Sequence, residues 1–140
     1  METIINRGYK FKIIPTNEQK EFFLQSFGCT RKIYNMYVDE LYKQLEENGY
    51  QNGFINKKNL YFTNPSKYKT DFEYMNKVDS LALCNAQIDF NNAIKKFNNE
   101  YDKKTYTKRG RKREKTLGIK PTFKDLKGFP KFRSIKKNDF

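Results

Sequence analysis

Apolar residues recur every three or four positions over two long stretches of this chain, and this period constrains the fold more than any other feature. The first stretch contains Ile33, Tyr34, Tyr37, Val38, Leu41, Tyr42 and Leu45. The second contains Leu83, Ala86, Phe90, Ala93, Ile94, Phe97 and Tyr101. This spacing gives each stretch one apolar helical face. We therefore expect a mainly α-helical fold, a bundle built like a helical hairpin or a helix-turn-helix.

The chain before the first of these stretches predicts a short strand and a further helix. Tyr9, Phe11 and Ile13 alternate with lysines, which is the period of a half-buried β-strand. Thr16, followed three residues later by Gln19, forms the capping-box pattern that begins a helix. We expect an N-terminal strand that leads directly into this helix.

A glycine is expected to divide the helical region that follows. Gly28 would end the first helix, and the second would close at Asn48 and Gly49. Helix, short glycine turn and helix is the outline of a helix-turn-helix. It is equally the outline of an ordinary antiparallel helical hairpin, and the residues alone leave both open.

The middle of the chain predicts an irregular excursion before the last long helix. Residues 50–77 are rich in Asn, Lys and Tyr and contain Pro65, so we expect one or two short helical turns there. Asp79 or Ser80 would cap the next helix, which is expected to run to about Lys103.

Positive charge is concentrated at the C-terminal end. The 140 residues carry 29 Lys or Arg and 16 Asp or Glu, a net charge of +13. Residues 103–140 contain 15 of the basic and three of the acidic residues, which leaves +12 in this stretch. A local excess of this size predicts contact with a polyanion. The run from Lys108 to Lys115 has no apolar partners, so we expect it to be disordered when nothing is bound. It would serve either as an RNA or DNA contact or as a solvated linker.

Composition excludes several kinds of site. The chain contains no His, which removes imidazole acid-base chemistry and most hydrolase triads. Its two cysteines, Cys29 and Cys84, form no Cys-x-x-Cys pair, so a structural zinc is not expected, and both thiols are expected to be buried and unbridged. No apolar run reaches the roughly 18 residues of a membrane span, and no secretory signal begins the chain. We expect a soluble cytoplasmic protein without a membrane partner.

Four segments occur in the order found in one protein family. They are Tyr9 to Thr16 (YKFKIIPT), Phe27 to Asn35 (FGCTRKIYN), Val78 to Ala86 (VDSLALCNA) and Gly128 to Ser134 (GFPKFRS). Together with the Ala93 to Phe97 end of the long helix, they resemble the N-terminal part of the OrfB or TnpB proteins of insertion sequences. Those proteins are RNA-guided DNA nucleases related to compact type V CRISPR effectors. The resemblance covers essentially the whole chain.

The resemblance implies the nucleic-acid-holding lobe of such a nuclease. Residues 1–15 would supply the first strand of a wedge-type β-barrel, residues 16–103 a helical recognition domain, and residues 104–140 a basic linker that returns to the barrel. The recognition domain would comprise a helix-turn-helix-like part at 16–48, the excursion at 50–77 and the long helix at 79–103. The barrel is not expected to close with these residues alone.

The resemblance also implies partners and a location. The partners would be a guide RNA from the transposon end and double-stranded target DNA with an adjacent motif, at the nucleoid of a prokaryotic cell. The family's RuvC-like nuclease, with its divalent metal, and its zinc ribbon have no counterpart in these residues. We therefore expect neither a cofactor nor catalysis from this chain alone. The oligomeric state stays open.

Candidate nucleic-acid contacts lie in three places. Arg31 and Lys32 open the second predicted helix, where a helix-turn-helix protein contacts base edges. The resemblance implies that the start of the long helix, with Ser80, Cys84 and Asn85, contacts the target-adjacent motif. Many relatives carry Gln in place of Cys84, and a thiol cannot make the bidentate amide contact to adenine. The basic C-terminal stretch contributes Lys108, Arg109, Arg111, Lys112, Arg113, Lys115, Lys131 and Arg133.

Three residues that lie near these candidates in the sequence are expected to have structural roles instead. Asn35 is expected to bond a nearby backbone, and Phe129 and Phe132 are expected to pack in the core rather than stack on bases.

Two other functions stay open. A standalone helix-turn-helix DNA-binding protein, as a transposase remnant or repressor, would need a stable domain that binds palindromic duplex DNA. A nonspecific RNA-binding basic protein would lose all binding when residues 103–140 are removed.

Overall fold

The computed structural model describes residues 2–49, 54–100 and 105–135, and four α-helices form its framework within these ranges. They are α1 (Asn17–Asn48), α2 (Pro65–Asp71), α3 (Ser80–Asn99) and α4 (Lys108–Leu117). Short 3-10 helices occupy Lys57–Asn59, Glu73–Lys77 and Phe123–Asp125. The mainly helical fold class is therefore confirmed. None of the helices in the described residues is long and apolar enough to cross a membrane.

Helix α1 runs without interruption, so the predicted end of the first helix at Gly28 is wrong. A glycine inside a helix costs only about 1 kcal/mol relative to Ala, and helix propagation adds a backbone hydrogen bond for each further residue. Thr30 is also compatible with the helix, because its hydroxyl donates to the carbonyl oxygen of Phe27 at 3.0 Å. Cys29 is buried at this point, so the packed part of α1 begins where the break was expected.

Both ends of α1 lie where the sequence predicts them. The backbone N–H of Gln19 donates to the Thr16 hydroxyl at 3.3 Å, and the Gln19 side chain accepts from the Thr16 N–H at 3.0 Å. This reciprocal pair is a capping box. At the other end, Gly49 has a φ of +78°, a conformation that favours glycine and ends the helix.

The core lies between α1 and α3, which pack against each other. Side chains at its centre with no exposed surface are Ile33, Tyr37, Val38, Leu41 and Ile94. Phe90 of α3 contributes the central ring and lies 5.5 Å from the Tyr37 ring and 5.2 Å from the Phe62 ring, centroid to centroid. The two periodic faces predicted from sequence are thus the two sides of one aromatic core, except that Ala93 is half-buried and Tyr101 lies outside the described residues.

Glu40 of α1 forms hydrogen bonds with the segment that connects α1 to α3. Its carboxylate accepts from the Thr63 amide at 3.1 Å, the Thr63 hydroxyl at 2.7 Å and the Tyr68 hydroxyl at 2.5 Å. Pro65 occupies the first turn of α2, with Asn64 as its N-cap. The expected one or two helical turns are present, and the connection holds more helix than predicted.

Helix α3 begins as predicted and ends early. Asp79 is the N-cap, and its carboxylate accepts from the Leu81 N–H at 2.9 Å. The helix ends at Asn99 rather than near Lys103, which lies outside the described residues.

The segment before α1 forms neither helix nor strand. Residues 2–16 form no strand, and the only β pairing in the described parts of the chain is an antiparallel bridge between Tyr106 and Leu126. The predicted strand and barrel are therefore not confirmed, because a strand is stable only where neighbours complete its hydrogen bonds. Tyr9, Phe11 and Ile13 are 75%, 81% and 66% exposed.

The basic run after α3 forms helix α4, so its predicted disorder is wrong. Thr107 caps the helix by accepting from the Gly110 N–H at 3.2 Å. Gly118 closes it with a φ of +68°, and its N–H donates to the carbonyl oxygen of Glu114 at 2.9 Å. These caps satisfy backbone groups that would otherwise be left unpaired at the ends of so short a helix.

Aromatic side chains bring the chain after α4 back to the core. We call this cluster the aromatic anchor; its members are Tyr42, Phe97, Phe123, Phe129 and Phe132. The Phe129 ring is buried 4.9 Å from that of Phe97, whereas Phe132 is half exposed and lies 5.4 Å from Tyr42. The Tyr42 hydroxyl also donates to the carbonyl oxygen of Pro130 at 2.7 Å. Core packing is thus confirmed for Phe129, while Phe132 packs on only one side.

Candidate nucleic-acid interface

Helix α4 presents one continuous row of cations to solvent. Residues three and four apart share a helical face, and the exposed cations with this spacing are Lys108, Arg111, Lys112 and Lys115. We call these four residues the basic stripe. At 1.5 Å per residue the stripe is about 10 Å long, roughly three nucleotide steps of one strand. Arg109 is also exposed and flanks it.

The stripe is free of internal charge partners in the described residues. No ion pair there involves any of its four cations, nor Arg109 or Lys131, which are exposed as well. Cations without partners are the groups that neutralise phosphates and release counterions. This surface is therefore the part of the predicted interface best placed to contact a polyanion.

Backbone pairing fixes both flanks of α4. We call residues 105–129 the α4 module. The N–H of Thr107 donates to the carbonyl oxygen of Asp125 at 2.7 Å, and the N–H of Lys127 donates to that of Thr105 at 2.8 Å. These two bonds surround the Tyr106 bridge, so the start of α4 is tied to the chain that follows it.

The face of α4 opposite the stripe rests on Asp125. Gly110 is buried, and a Cβ added to it would lie 2.9 Å from the Cβ of Asp125. Arg113 forms an ion pair with the same carboxylate at 2.5 Å. Burial by itself raises the pKa of Asp125, but the Thr122 N–H and the Arg113 guanidinium outweigh this and hold the pKa below its ordinary value. Asp125 is therefore a charged acceptor on which α4 is seated.

Three predicted contact residues are engaged inside the protein. Arg113 is paired with Asp125, as described. Lys32 lies 3.8 Å over the Phe72 ring and donates to the Tyr74 hydroxyl at 2.6 Å. Arg133 lies 3.8 Å over the Tyr34 ring, with a carboxylate oxygen of Asp89 at 3.6 Å. Cations used in this way contribute less to binding an external partner, because those contacts must first be given up.

Asn35 pairs with the backbone of Arg133, as predicted. Its amide donates to the Arg133 carbonyl at 3.0 Å and accepts from the Arg133 N–H at 2.7 Å. The chain around Arg133 therefore covers this part of α1. Arg31 stays partly exposed and lines an open cavity with Gly28 and Phe132.

The start of α3 carries the second group of predicted nucleic-acid contacts. Ser80, Cys84 and Asn85 are all exposed, as contact residues must be. Cys84 lies off the face that carries Leu83 and Phe90 into the core, so the prediction of two buried thiols is right for Cys29 and wrong for Cys84. The Ser80 hydroxyl already accepts from the Lys69 ammonium at 2.5 Å. These residues lie on α3, whereas the stripe lies on α4.

Sequence reasoning missed Asp125 and the helical state of the basic run. Thr107 and Gly118 stand at the two ends of the run and are ordinary start and stop signals for a helix. Thr122 and Asp125 also have capping-box spacing, and both bonds of that box are present. These signals would have predicted a short capped helix followed by a turn. The contact between Gly110 and Asp125 has no local signal, because it joins two elements.

No group of three or more Cys, Asp or Glu side chains in residues 2–49, 54–100 and 105–135 is arranged to hold a metal ion.

Comparison with known proteins gives a match for the N-terminal part of the chain. Residues 1–50 match the family model of the helix-turn-helix domain of OrfB proteins of IS605 elements. Searches of curated proteins and of solved structures gave no significant match. The matched region contains the segment before α1 and all of α1, in which the two expected helical parts are joined through Gly28. The first 50 residues of this protein are thus similar to an OrfB-type helix-turn-helix domain, and this similarity points to a DNA-binding, transposase-associated function.

Proposed function

We propose that this chain is the nucleic-acid-binding N-terminal lobe of a transposon-associated, RNA-guided DNA endonuclease. In this role it holds a guide RNA from the transposon end and double-stranded target DNA with an adjacent motif. Cleavage, with its divalent metal and the family's zinc ribbon, belongs to parts of such an enzyme outside these residues. The family match over residues 1–50 supports the assignment to this class.

The observation that carries the proposal is the basic stripe on α4. Four exposed cations on one helical face suit a phosphate backbone, which a protein contacts without reading sequence. Tyr106, 40% exposed beside the helix start, offers a ring on which an unpaired base can stack. A cationic helix next to an exposed ring fits structured RNA with unpaired bases.

The alternative of a standalone helix-turn-helix protein has less support. In such a protein the early residues of a separate second helix enter the major groove. Here α1 is continuous, Lys32 is engaged with Phe72 and Tyr74, and Asn35 is bonded to the chain around Arg133. These contacts would have to open before that face could reach bases.

Binding to two RNAs tests the proposal. One is the structured RNA transcribed from the end of the insertion element that encodes the chain, and the other is a shuffled RNA of the same length and composition. We expect tighter binding to the first in a fluorescence anisotropy titration with the full chain. Equal affinities for the two RNAs would overturn the guide-RNA assignment, whereas a preference for palindromic duplex DNA would favour the alternative.

A charge-matched pair of variants tests the stripe. The first replaces its four cations by Gln, and the control replaces Lys58, Lys67, Lys77 and Lys95, which are exposed elsewhere. Both lose four charges. If all four stripe cations contact phosphates, the slope of log affinity against log salt becomes less steep by about 3 for the stripe variant. The control is expected to change it little, and equal changes in the two variants would contradict a localised interface.

A further inference from the structure

Asp125 is an acid in the most basic part of the chain. In the described residues 105–135 the acids are Glu114 and Asp125, and only Asp125 contacts α4 from another element. A carboxylate near a polyanion-binding surface normally opposes binding, because like charges repel. Its position against α4, on the side opposite the basic stripe, therefore points to a different role for this side chain.

The geometry opposes Asp125 to the stripe across α4. Gly110 and Arg113 are three residues apart and share the face of α4 that meets Asp125. The four cations of the basic stripe lie on the opposite face of α4. The contacts of Gly110 and Arg113 with Asp125 therefore determine the direction in which the basic stripe points.

Asp125 is itself held in place at several atoms. Its carboxylate accepts from the Thr122 N–H at 3.0 Å, its N–H donates to the Thr122 carbonyl at 3.0 Å, and its carbonyl accepts from the Thr107 N–H. Phe123, two residues earlier, belongs to the aromatic anchor and packs on Tyr42. Asp125 thus links the basic helix to the helical core.

We propose that Asp125 is a positioning residue for nucleic-acid binding, which holds α4 so that the basic stripe faces outward. The inference rests on the proposed function of the stripe. It makes a prediction opposite to that of simple electrostatics: removing this negative charge weakens the binding of a polyanion.

Two single substitutions, one at each acid, distinguish an effect of net charge on binding from an effect of the position of α4. Asp125→Asn and Glu114→Gln each raise the net charge by one, and Glu114 is exposed on α4 itself. With a labelled single-stranded RNA of mixed sequence as the probe, we expect Glu114→Gln to bind as tightly as the unmodified chain or more tightly. Asp125→Asn is expected to bind about tenfold more weakly, the loss of one charge-assisted phosphate contact.

The salt dependence separates a misplaced helix from a poorly folded protein. If α4 turns away, fewer cations contact phosphates, and the slope of log affinity against log salt becomes less steep by about 0.7 for each lost contact on a single strand. Unfolded protein only lowers the active concentration and leaves the slope unchanged. A weaker Asp125→Asn variant with an unchanged slope would therefore overturn the positioning role.

Gly110→Ala provides a second variant that alters no charge. Ala favours a helix more than Gly does, so binding would tighten if helix formation alone limited it. The added Cβ would lie 2.9 Å from Asp125, so we expect α4 to shift and binding to weaken with a shallower salt slope. Thr116→Ala, at an exposed position of the same helix, raises helix propensity without this clash and serves as the control.

The outcomes distinguish this inference from the function on which it rests. If the four-cation stripe variant binds as tightly as its charge-matched control, the proposed function of the stripe fails. If the stripe variant is weaker but Asp125→Asn and Gly110→Ala bind as tightly as their controls, the stripe is confirmed and the positioning role is overturned.

Discussion

Apolar burial stabilises the helices of the core between α1 and α3, whereas polar contacts stabilise the helix of the α4 module. In the core, long helices bury a continuous apolar face, and side chains such as Phe90 and Tyr37 are almost completely removed from water. In the α4 module, the only buried residue of the helix is Gly110, and the helix is kept by caps, two backbone bonds and the ion pair to Asp125. A helix that must keep its cations exposed cannot use apolar burial, so polar contacts replace it.

This difference separates stability from binding. Loss of buried area in the core should unfold the whole chain, because burial is the dominant favourable term in folding. Loss of a cap or of the ion pair should release α4 alone, because few apolar contacts connect it to the rest.

Truncating the central ring should have the largest effect. Phe90→Ala is expected to lower the free energy of unfolding by about 3–5 kcal/mol, because it removes a buried ring and leaves a cavity. Urea unfolding followed by circular dichroism measures this loss. Ile88→Ala is the matched control, since Ile88 is half exposed on the same helix and should change stability by less than about 0.5 kcal/mol. Similar losses for both variants would contradict an α1 and α3 core centred on Phe90.

High pH should destabilise the core through its tyrosines. Burial raises the pKa of Tyr42 to about 12, with smaller contributions from Tyr34 and Asp125. Burial also raises the pKa values of Tyr37 and Tyr68. A pKa raised on folding contributes stability below the unfolded value near 10, and this stability is lost as pH rises through the folded value.

We therefore expect the free energy of unfolding to decline from about pH 10 towards pH 12. Urea unfolding at a series of pH values checks this, and Tyr42→Phe should make the decline shallower by removing one of the groups. A stability that stays constant up to pH 12 would contradict burial of these hydroxyls.

Removal of the α4 cap should have a smaller and local effect. Thr107→Ala loses the hydroxyl that accepts from the Gly110 N–H and should destabilise α4 by about 1 kcal/mol. Amide hydrogen exchange should become about fivefold faster in α4 and stay unchanged in α1 and α3. Thr116→Ala, inside the helix, should not speed exchange. Faster exchange throughout the chain would show that the module and the core unfold as one unit.

Removing the Tyr37 hydroxyl should have the smallest effect on the free energy of unfolding. The Tyr37 hydroxyl is buried and forms no hydrogen bond in the described structure, so Tyr37→Phe should be neutral or stabilising by up to about 1 kcal/mol. Tyr68→Phe removes a bond to the Glu40 carboxylate and should be destabilising by about 1.5–3 kcal/mol. The two variants are compared by urea unfolding, and a clear loss on Tyr37→Phe would reveal a bonded hydroxyl.

The helices of the core were largely predictable, and the boundary inside α1 was not. Apolar spacing indicated the packed faces, and Thr16, Gly49 and Asp79 marked ends through local backbone chemistry. Gly28 was misleading, because a glycine marks an end only when nothing favours continuing the helix. Here the buried side chains that follow favour continuation.

The candidate site was predictable in composition and not in arrangement. The charge excess after residue 103 indicated the basic surface, and the resemblance indicated the family that the match over residues 1–50 supports. Of the basic residues proposed as contacts, Lys32, Arg113 and Arg133 are engaged internally. Their partners lie far away in sequence or on another element, so no local pattern could indicate them.

The helical class, the aromatic core faces, the charge asymmetry and the similarity of residues 1–50 to OrfB helix-turn-helix domains were already evident from the amino-acid sequence. Each of these depends on residue type and short-range spacing, which are present before folding. The continuity of α1, the helical state of the basic run and the packing of α4 on Asp125 with the stripe outward became evident only in the folded structure. Those features depend on contacts between separate elements, whose energies exist only after the chain has brought the elements together.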